Sequence, residues 1–326
     1  MAGKLVEDEA LIAWIERVHH ALEGREITRF EATTAVALLA FSEVPADLLI
    51  LEVGLGGRFD ATNVIAEPAL SVITPVDFDH KQFLGSDLAF IAGEKAGIIK
   101  PGRPVVSAIQ ARVCGDVIKR QAEALDAPLT VLRMEDIEKV PERVALPGTH
   151  QRYNAALSGL AMRTLQAPSV HAAAIWDGAQ SAVWPARMQR LSDGPVTRLG
   201  DGAEVWLDGG HNPHAATAIA EFLREMGGRT VMVTAMIASK DHGGFFHPFK
   251  GVVEAVQTLP NAPGHASAEP ADLAETARAF LPLAEAHASL EDAMRAAAAL
   301  KPDRILIGGS LYLAGEVLAA NHEIPD

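Results

Sequence analysis

The stretch LLILEVGLGGRFDATN, Leu48–Asn63, decides the fold class. An apolar run passes through Glu52 into a glycine-rich loop that ends in Arg58, Asp60, Thr62 and Asn63. Continuous rather than alternating apolarity is what a strand covered on both faces requires, and such strands belong to parallel sheets. The loop has the glycines of a phosphate-binding loop but no Gly-Lys-Ser/Thr, and GLGGRF does not complete G-x-G-x-x-G. The sequence contains no G-x-x-x-x-G-K-S/T at all.

The same pattern recurs along the chain. DLLILEV (47–53), LSVIT (70–74), PVVSAI (104–109), AEVWLD (203–208), TVMVTAM (230–236) and RILIGG (304–309) read as strands. Between them lie helical patterns, among them FEATTAVALLAFSE (30–43), HAATAIAEFLREMG (214–227) and LAETARAFL (273–281). Leu11, Ile15, Val18 and Leu22 recur at helical spacing almost from the start of the chain, and Pro302 stops the Ala-rich helix at 291–302. This is an α/β chain, doubly wound. Its 326 residues suggest two domains, and the weakened pattern between Gln166 and Gln189 places the boundary at about residue 180.

Composition narrows the function. Forty-two acids against 28 bases give a net charge of −14, and no Lys/Arg cluster is present to neutralise nucleic-acid phosphates. A single cysteine, Cys114, excludes a disulfide framework or a cysteine metal cluster within the chain and fits a cytoplasmic protein. No apolar run approaches the roughly 18 residues of a membrane span, and the acidic N-terminal segment does not read as a signal peptide.

In open parallel sheets, ligands bind beyond the carboxyl ends of the strands. Glu52 lies near the end of the first apolar run. Asp77, Asp79 and His80 follow the second, and Asp208 leads through Gly209-Gly210 to His211, Asn212 and Pro213 at a helix start. Each has a plain reading too. Glu52 could pair with a lysine, His80 could be a structural hydrogen-bonder, Asp208 could belong to a capped strand-to-helix turn, Lys95 could be a surface helix lysine, and Phe30 could be core. Taken together, hard oxygen donors and an imidazole at neighbouring strand ends suit Mg²⁺ held with substrate phosphates, and a helix N-terminus favours an anion.

FEATTAVALLAF, LEVGLGGRFDATNVI, DHKQFLG, EKAGIIKPGRPVV, WPARMQ, LDGGHNPHAA and GSLYLAGEVL occur in that order. Over nearly the whole chain they resemble the folylpolyglutamate synthase/dihydrofolate synthase family of Mur-type ATP-dependent ligases. The resemblance implies a doubly wound, P-loop-type central domain (1–180) and a smaller α/β C-terminal domain (181–326). It implies transfer of L-glutamate onto dihydropteroate or reduced folates through an acyl phosphate, in the cytoplasm, by a monomer. Another Mur-type amino-acid ligase is the alternative enzyme. By the same resemblance Glu52, His80 and Lys95 are metal ligands, Lys95 as a carbamate, because an ammonium cannot ligate a cation. Phe30 and Asp60 match the pterin site. Arg187, Asp208 and His211 match residues at ATP, and His150 and Asn154 match the segment facing adenine. Three departures stand out: Ala186 where glycine is usual, DGGHNP for DGAHNP, and PVDFDH for SIGLDH. The family's phosphate loop is expected upstream of residue 1, with the first strand of the sheet. The 326 residues by themselves are then expected to turn over ATP poorly, or to be a folate-binding chain without catalysis.

Overall fold

The computed structural model describes residues 4–78, 85, 87–166, 170–261 and 267–324. By its internal contacts the chain divides into two units, residues 1–133 with 160–167, and residues 134–159 with 168–325. The boundary expected near residue 180 falls inside the second.

The first unit opens with α1 (Asp8–Leu22) and α2 (Arg29–Glu43). Thr28 and Glu31 form a reciprocal capping box at the start of α2. Glu31 N donates to Thr28 Oγ1 (3.2 Å) and Thr28 N donates to Glu31 Oε2 (2.7 Å). At the other end of α2, Glu43 accepts from Trp14 Nε1 (2.8 Å) and pairs with Arg17 (2.6 Å), which fixes α1 against α2. Then follow β1 (Ser71–Ile73), α3 (Leu88–Ala96), β2 (Val105–Ser107), α4 (Arg112–Ala124) and β3 (Leu129–Val131). The strands make a parallel sheet in the order β1-β2-β3. Ile73, Ile91, Ala92, Ala96, Val105, Cys114, Ile118 and Ala122 form its core, so α3 and α4 pack on the sheet and Cys114 serves as a small apolar side chain.

One sequence expectation fails here. Residues 47–53 form no strand. A strand needs a neighbour for its N–H and C=O groups, and among the described residues no ladder reaches this segment. Leu48, Leu49 and Ile50 are accordingly exposed, Ile50 to 82%.

The second unit contains α5 (Met134–Glu138), the part of α6 (Thr149–Leu165) up to residue 159, α7 (Ala172–Ser181), β4 (Gln189–Arg190), α8 (Pro195–Arg198), β5 (Glu204–Leu207), α9 (Pro213–Met226) and β6 (Thr230–Thr234). It continues with α10 (His242–Phe246), β7 (Ala255–Thr258), α11 (Pro270–Arg278), β8 (Ala284–Ala286), α12 (Leu290–Ala299), β9 (Arg304–Gly308) and α13 (Leu311–Ala320). Six strands lie in the order β4-β5-β9-β6-β7-β8, parallel except for β4.

Period-two alternation sorts the strand side chains to the two faces. Val231, Val233, Ile305 and Ile307 join α12 and α13 on one face. Met232, Val256 and Leu306 join α9, α10 and α11 on the other, with Phe245 packed edge-on to Phe246 and Phe249. Doubly wound topology is therefore observed, not only expected. From the adjacent strands β5 and β9 the chain leaves toward opposite faces, into α9 and α13, which makes their carboxyl ends the switch point of this sheet.

Ile50→Lys is expected to change stability by less than about 0.5 kcal/mol, as a fully solvated position should. A drop of roughly 2 kcal/mol or more in denaturant titration would show that this segment is buried in solution.

Candidate active-site elements

The first element is the loop 54–63, clamped onto the last turn of α3. Arg58 N donates to the Glu94 carbonyl (2.8 Å), and its guanidinium reaches Glu94 Oε1 and the Gly93 carbonyl (both 3.3 Å). Asn63 Nδ2 donates to the carbonyls of Arg58 (3.0 Å) and Gly97 (3.2 Å), while Lys100 Nζ donates to the Asn63 carbonyl (3.1 Å). A cation and amide donors at a helix C-terminus satisfy its orphan carbonyls and suit its dipole. Gly57, at φ +155°, lies so close that a Cβ would sit 2.8 Å from the Glu94 carbonyl oxygen and 3.1 Å from the Lys95 Cα. The loop thus rests directly on the backbone of Lys95, which is half-buried in α3.

Within this loop Asp60 is fully engaged. Its Oδ2 accepts from Gly54 N and Leu55 N (3.0 Å each), and its Oδ1 accepts from Thr62 N (2.9 Å) and Thr62 Oγ1 (2.6 Å). Burial pushes the carboxyl up, but the bonds from Thr62, Leu55 and Gly54 together outweigh it and hold the pKa below the usual range. A carboxylate offers about four acceptor positions, and here the loop itself fills four. Phe30, brought to the second position of α2 by the capping box, lays its ring edge on Gly54, where a Cβ would meet Cζ at 2.5 Å. The structure therefore brings Phe30, Gly54 and Asp60 together, with Phe30 45% exposed.

Of the three residues assigned to a metal by resemblance, His80 lies outside the described residues, as does Asp79. Glu52 is exposed at the mouth of the loop, and Lys95 is half-buried in α3. Among the described residues no three His, Cys, Asp or Glu side chains gather. Glu52 and Lys95 by themselves supply too few oxygen ligands to hold a divalent cation.

The second element sits at the switch point of the six-stranded sheet. Asp208 is buried, 5% exposed, and its carboxylate ties two turns together. Oδ2 accepts from Met188 N (2.8 Å) and Oδ1 from Gly210 N (2.7 Å). Burial drives its pKa up, against the hydrogen bonds from Gly210 and Met188 and the charge of Arg187. Gly209 N donates to the Ala186 carbonyl (2.9 Å), and Gly309 N donates to the Gly210 carbonyl (3.1 Å). The two glycines face the two diverging helices. A Cβ on Gly209 would strike Leu311 at the start of α13, and one on Gly210 would lie 2.9 Å from Ala215 Cβ in α9. His211 Nδ1 donates to the Gly209 carbonyl (3.2 Å), and Asn212 caps α9 by accepting from Ala215 N (2.8 Å).

Arg187 projects, exposed, from a turn whose neighbours Ala186 (φ +53°) and Met188 (φ +42°) are both left-handed. His150 lies within electrostatic reach. Burial, then the charges of Arg187 and His214, opposed by Glu221, depress its pKa. Asn154 Nδ2 donates to Gln151 Oε1 (3.2 Å), which turns the Gln151 amide so that its Nε2 donates to His150 Nε2 (3.0 Å). His150 is then a neutral imidazole accepting at Nε2. The expected residues Arg187, Asp208, His211, His150 and Asn154 all lie in this one unit. His214 and Gln151 join them without any sequence signal having singled them out.

Residues 186–311 match the Mur ligase, glutamate ligase domain. The chain is 34% identical over 290 residues to the dihydrofolate synthase/folylpolyglutamate synthase of Bacillus subtilis strain 168, covering 80% of this chain and 64% of that protein. It is 30% identical over 334 residues to the enzyme of the same name from Escherichia coli K12, covering 97% of this chain and 75% of that one. The chain belongs to the dihydrofolate synthase/folylpolyglutamate synthase family. A crystal structure of Mycobacterium tuberculosis folylpolyglutamate synthase complexed with ADP and AMPPCP superposes with a TM-score of 0.85 at 26% identity, over 99% of this chain and 81% of that one. The fold is thus Mur-ligase-like, with a C-terminal Mur ligase domain. The chain spans just under two thirds of the length of the Bacillus relative.

Two measurements test these elements. Gly57→Ala should cost about 2–3 kcal/mol, since backbone atoms cannot retreat from a new Cβ, whereas Gly102→Ala, at φ +66° in open space, should cost about 1 kcal/mol. Equal costs in denaturant titrations would refute the clamp. For His150, the unfolded chain takes up a proton near pH 6.5 that the folded chain refuses. Stability should therefore fall as pH drops below about 6.5, and His150→Gln should flatten that slope while leaving stability above it unaffected by pH.

Proposed function

We propose that this chain carries nucleotide- and folate-binding elements of an ATP-dependent amide ligase that joins L-glutamate to dihydropteroate or to a reduced folate. The observation that carries the reading is the switch-point clamp. Asp208 fixes the Arg187 turn to the start of α9, inside the segment that matches a glutamate ligase domain. The bound ADP and AMPPCP named for the Mycobacterium structure support a nucleotide there.

In this reaction the terminal phosphoryl group of ATP passes to the substrate carboxylate, releasing ADP. The amine of glutamate then attacks the acyl carbon and releases phosphate. Positioning and charge stabilisation are the protein's main contributions. Arg187 would neutralise phosphate oxygens, and the backbone N–H groups at the start of α9, with His211, would add donors. Neutral His150, with Asn154, would face the base. Phe30 would stack on the pterin. Asp60, its acceptor positions taken by Gly54, Leu55 and Thr62, would shape the loop beneath the pterin. Mg²⁺ belongs to the proposal, with Glu52, His80 and Lys95 as its ligands once Lys95 is carbamylated, and would supply charge neutralisation at the phosphates. A domain boundary near residue 180, just ahead of the 186–311 match, and cytoplasmic action as a monomer belong to it as well.

A second reading is favoured by one sequence observation. The 326 residues contain no G-x-x-x-x-G-K-S/T, so tested by themselves they should release ADP slowly. A chain that binds folate with no effect of ATP on its melting would be a binding protein instead.

Arg187→Ala should weaken ADP binding about tenfold or more, the loss of one charge-assisted contact, with dihydropteroate binding retained. Phe30→Ala should do the reverse. Tryptophan fluorescence titrations read both. Unchanged ADP binding by Arg187→Ala would overturn the nucleotide assignment, and a response to a UDP-linked substrate alone would overturn the folate assignment.

A further inference from the structure

The turn that presents Arg187 is held by a relay that begins at the far end of the chain. After α13, Glu323 N donates back to the Leu318 carbonyl (2.8 Å), which folds the C-terminal segment against residues 186–197. The Glu323 carboxylate then accepts three hydrogen bonds. Ser192 N (2.7 Å) and Asn321 Nδ2 (2.6 Å) donate to Oε1, and Gln189 Nε2 (3.0 Å) donates to Oε2. Because a carboxylate only accepts, it fixes which way the Gln189 amide points. The Gln189 oxygen is thereby turned to accept from Ala186 N (2.9 Å). With Ala186 and Met188 both at positive φ, this turn does not hold itself. Left-handed backbone at non-glycine residues persists only where surrounding bonds over-determine it.

We propose that Gln189 and Glu323 are positioning residues for Arg187. The amide of Gln189, polarised by Glu323, pins the Ala186 N–H and so sets the direction in which Arg187 meets the phosphates of a nucleotide. The inference rests on the nucleotide reading of Arg187 given above. Neither residue touches the ligand; both act through the turn.

The polarity of the relay provides its test. Gln189→Glu places two acceptor-only groups against each other and breaks the link. Adding Glu323→Gln restores it, because the new amide at position 323 donates to the new carboxylate at position 189 while its oxygen still accepts from Ser192 N and Asn321 Nδ2. ADP affinity, read by tryptophan fluorescence with melting temperature measured alongside, should fall about tenfold in Q189E, one charge-assisted bond's worth. It should return to within about twofold of the parent in Q189E/E323Q, a recovery of most of that ~1.4 kcal/mol. Asn321→Ala, which loosens the same C-terminal segment from Val196 and Thr197 and removes one of the three bonds at Glu323 but leaves the Gln189–Glu323 and Gln189–Ala186 bonds in place, should lower melting with ADP affinity within about twofold of the parent. Q189E binding ADP like the parent, a double variant no better than Q189E, or an affinity that simply follows melting across all three variants would overturn the relay. Failure of the parent chain to bind ADP would sink the nucleotide reading and this inference with it. Normal parent binding with an unaffected Q189E would sink the inference alone.

Discussion

A buried carboxylate at the end of a central strand is the constraint around which the second unit is arranged. Asp208 sits where β5 and β9 send their chains to opposite faces of the sheet, the one place in a doubly wound sheet where a crevice is unavoidable. Burial opposes its charge, yet its two oxygens each face a backbone N–H, which only the ionised form can serve on both sides. Removing the charge would leave two buried donors or a misplaced hydroxyl, and unsatisfied buried groups cost about 1–3 kcal/mol each. Burial raises the pKa, and Gly210, Met188 and the charge of Arg187 oppose that rise without cancelling it. That same arrangement draws the Arg187 turn and the start of α9 together, so stability and the placement of cationic and N–H donors are one feature.

The first unit solves a parallel problem differently. Two of the segments that carry the family resemblance, 51–65 and 94–106, meet in a single physical object. Arg58 and Asn63 cap the end of α3, Lys100 binds back to Asn63, and Gly57 is pressed on the Lys95 backbone. Arg58 and Glu94, 36 residues apart, are tied because one motif supplies the carbonyls and the other the donors. Asp60 organises the loop internally, and the glycine at 54 leaves room for the Phe30 ring.

Much of this was legible in the sequence. Five of the six anticipated strands form, because each is a continuous apolar run with neighbours to pair with. The sixth, 47–53, has the composition of a strand but no ladder partner among the described residues, and composition cannot reveal the absence of a neighbour. The strands β3, β4, β7 and β8 escaped notice because they are two to four residues long, and β4 and β8 carry polar residues. Site residues placed by motif, such as Asp208 with His211, lie close in sequence and came out together. Partnerships such as Gln189 with Glu323, separated by 134 residues, leave no local period or spacing to read.

Two departures from the family pattern, Ala186 and Gly210, both border the Asp208 clamp. Ala186 stands where glycine is usual, and its φ of +53° explains the usual glycine. A left-handed alanine costs about 1–2 kcal/mol, but this methyl is buried in the core cluster of its face, where about 0.8 kcal/mol returns, and alanine spares the folding entropy of glycine, about 0.5–1 kcal/mol. The sum is near balance, so the substitution is tolerated. Gly210 stands where alanine is usual, and there a methyl would lie 2.9 Å from both Ala215 Cβ and Asp208 Oδ1. Against the pattern that the resemblance implies, the Arg187 turn carries one methyl more and the α9 wall one fewer. Both walls are bonded to the same carboxylate, so the side-chain volume at either position bears on the spacing of one clamp.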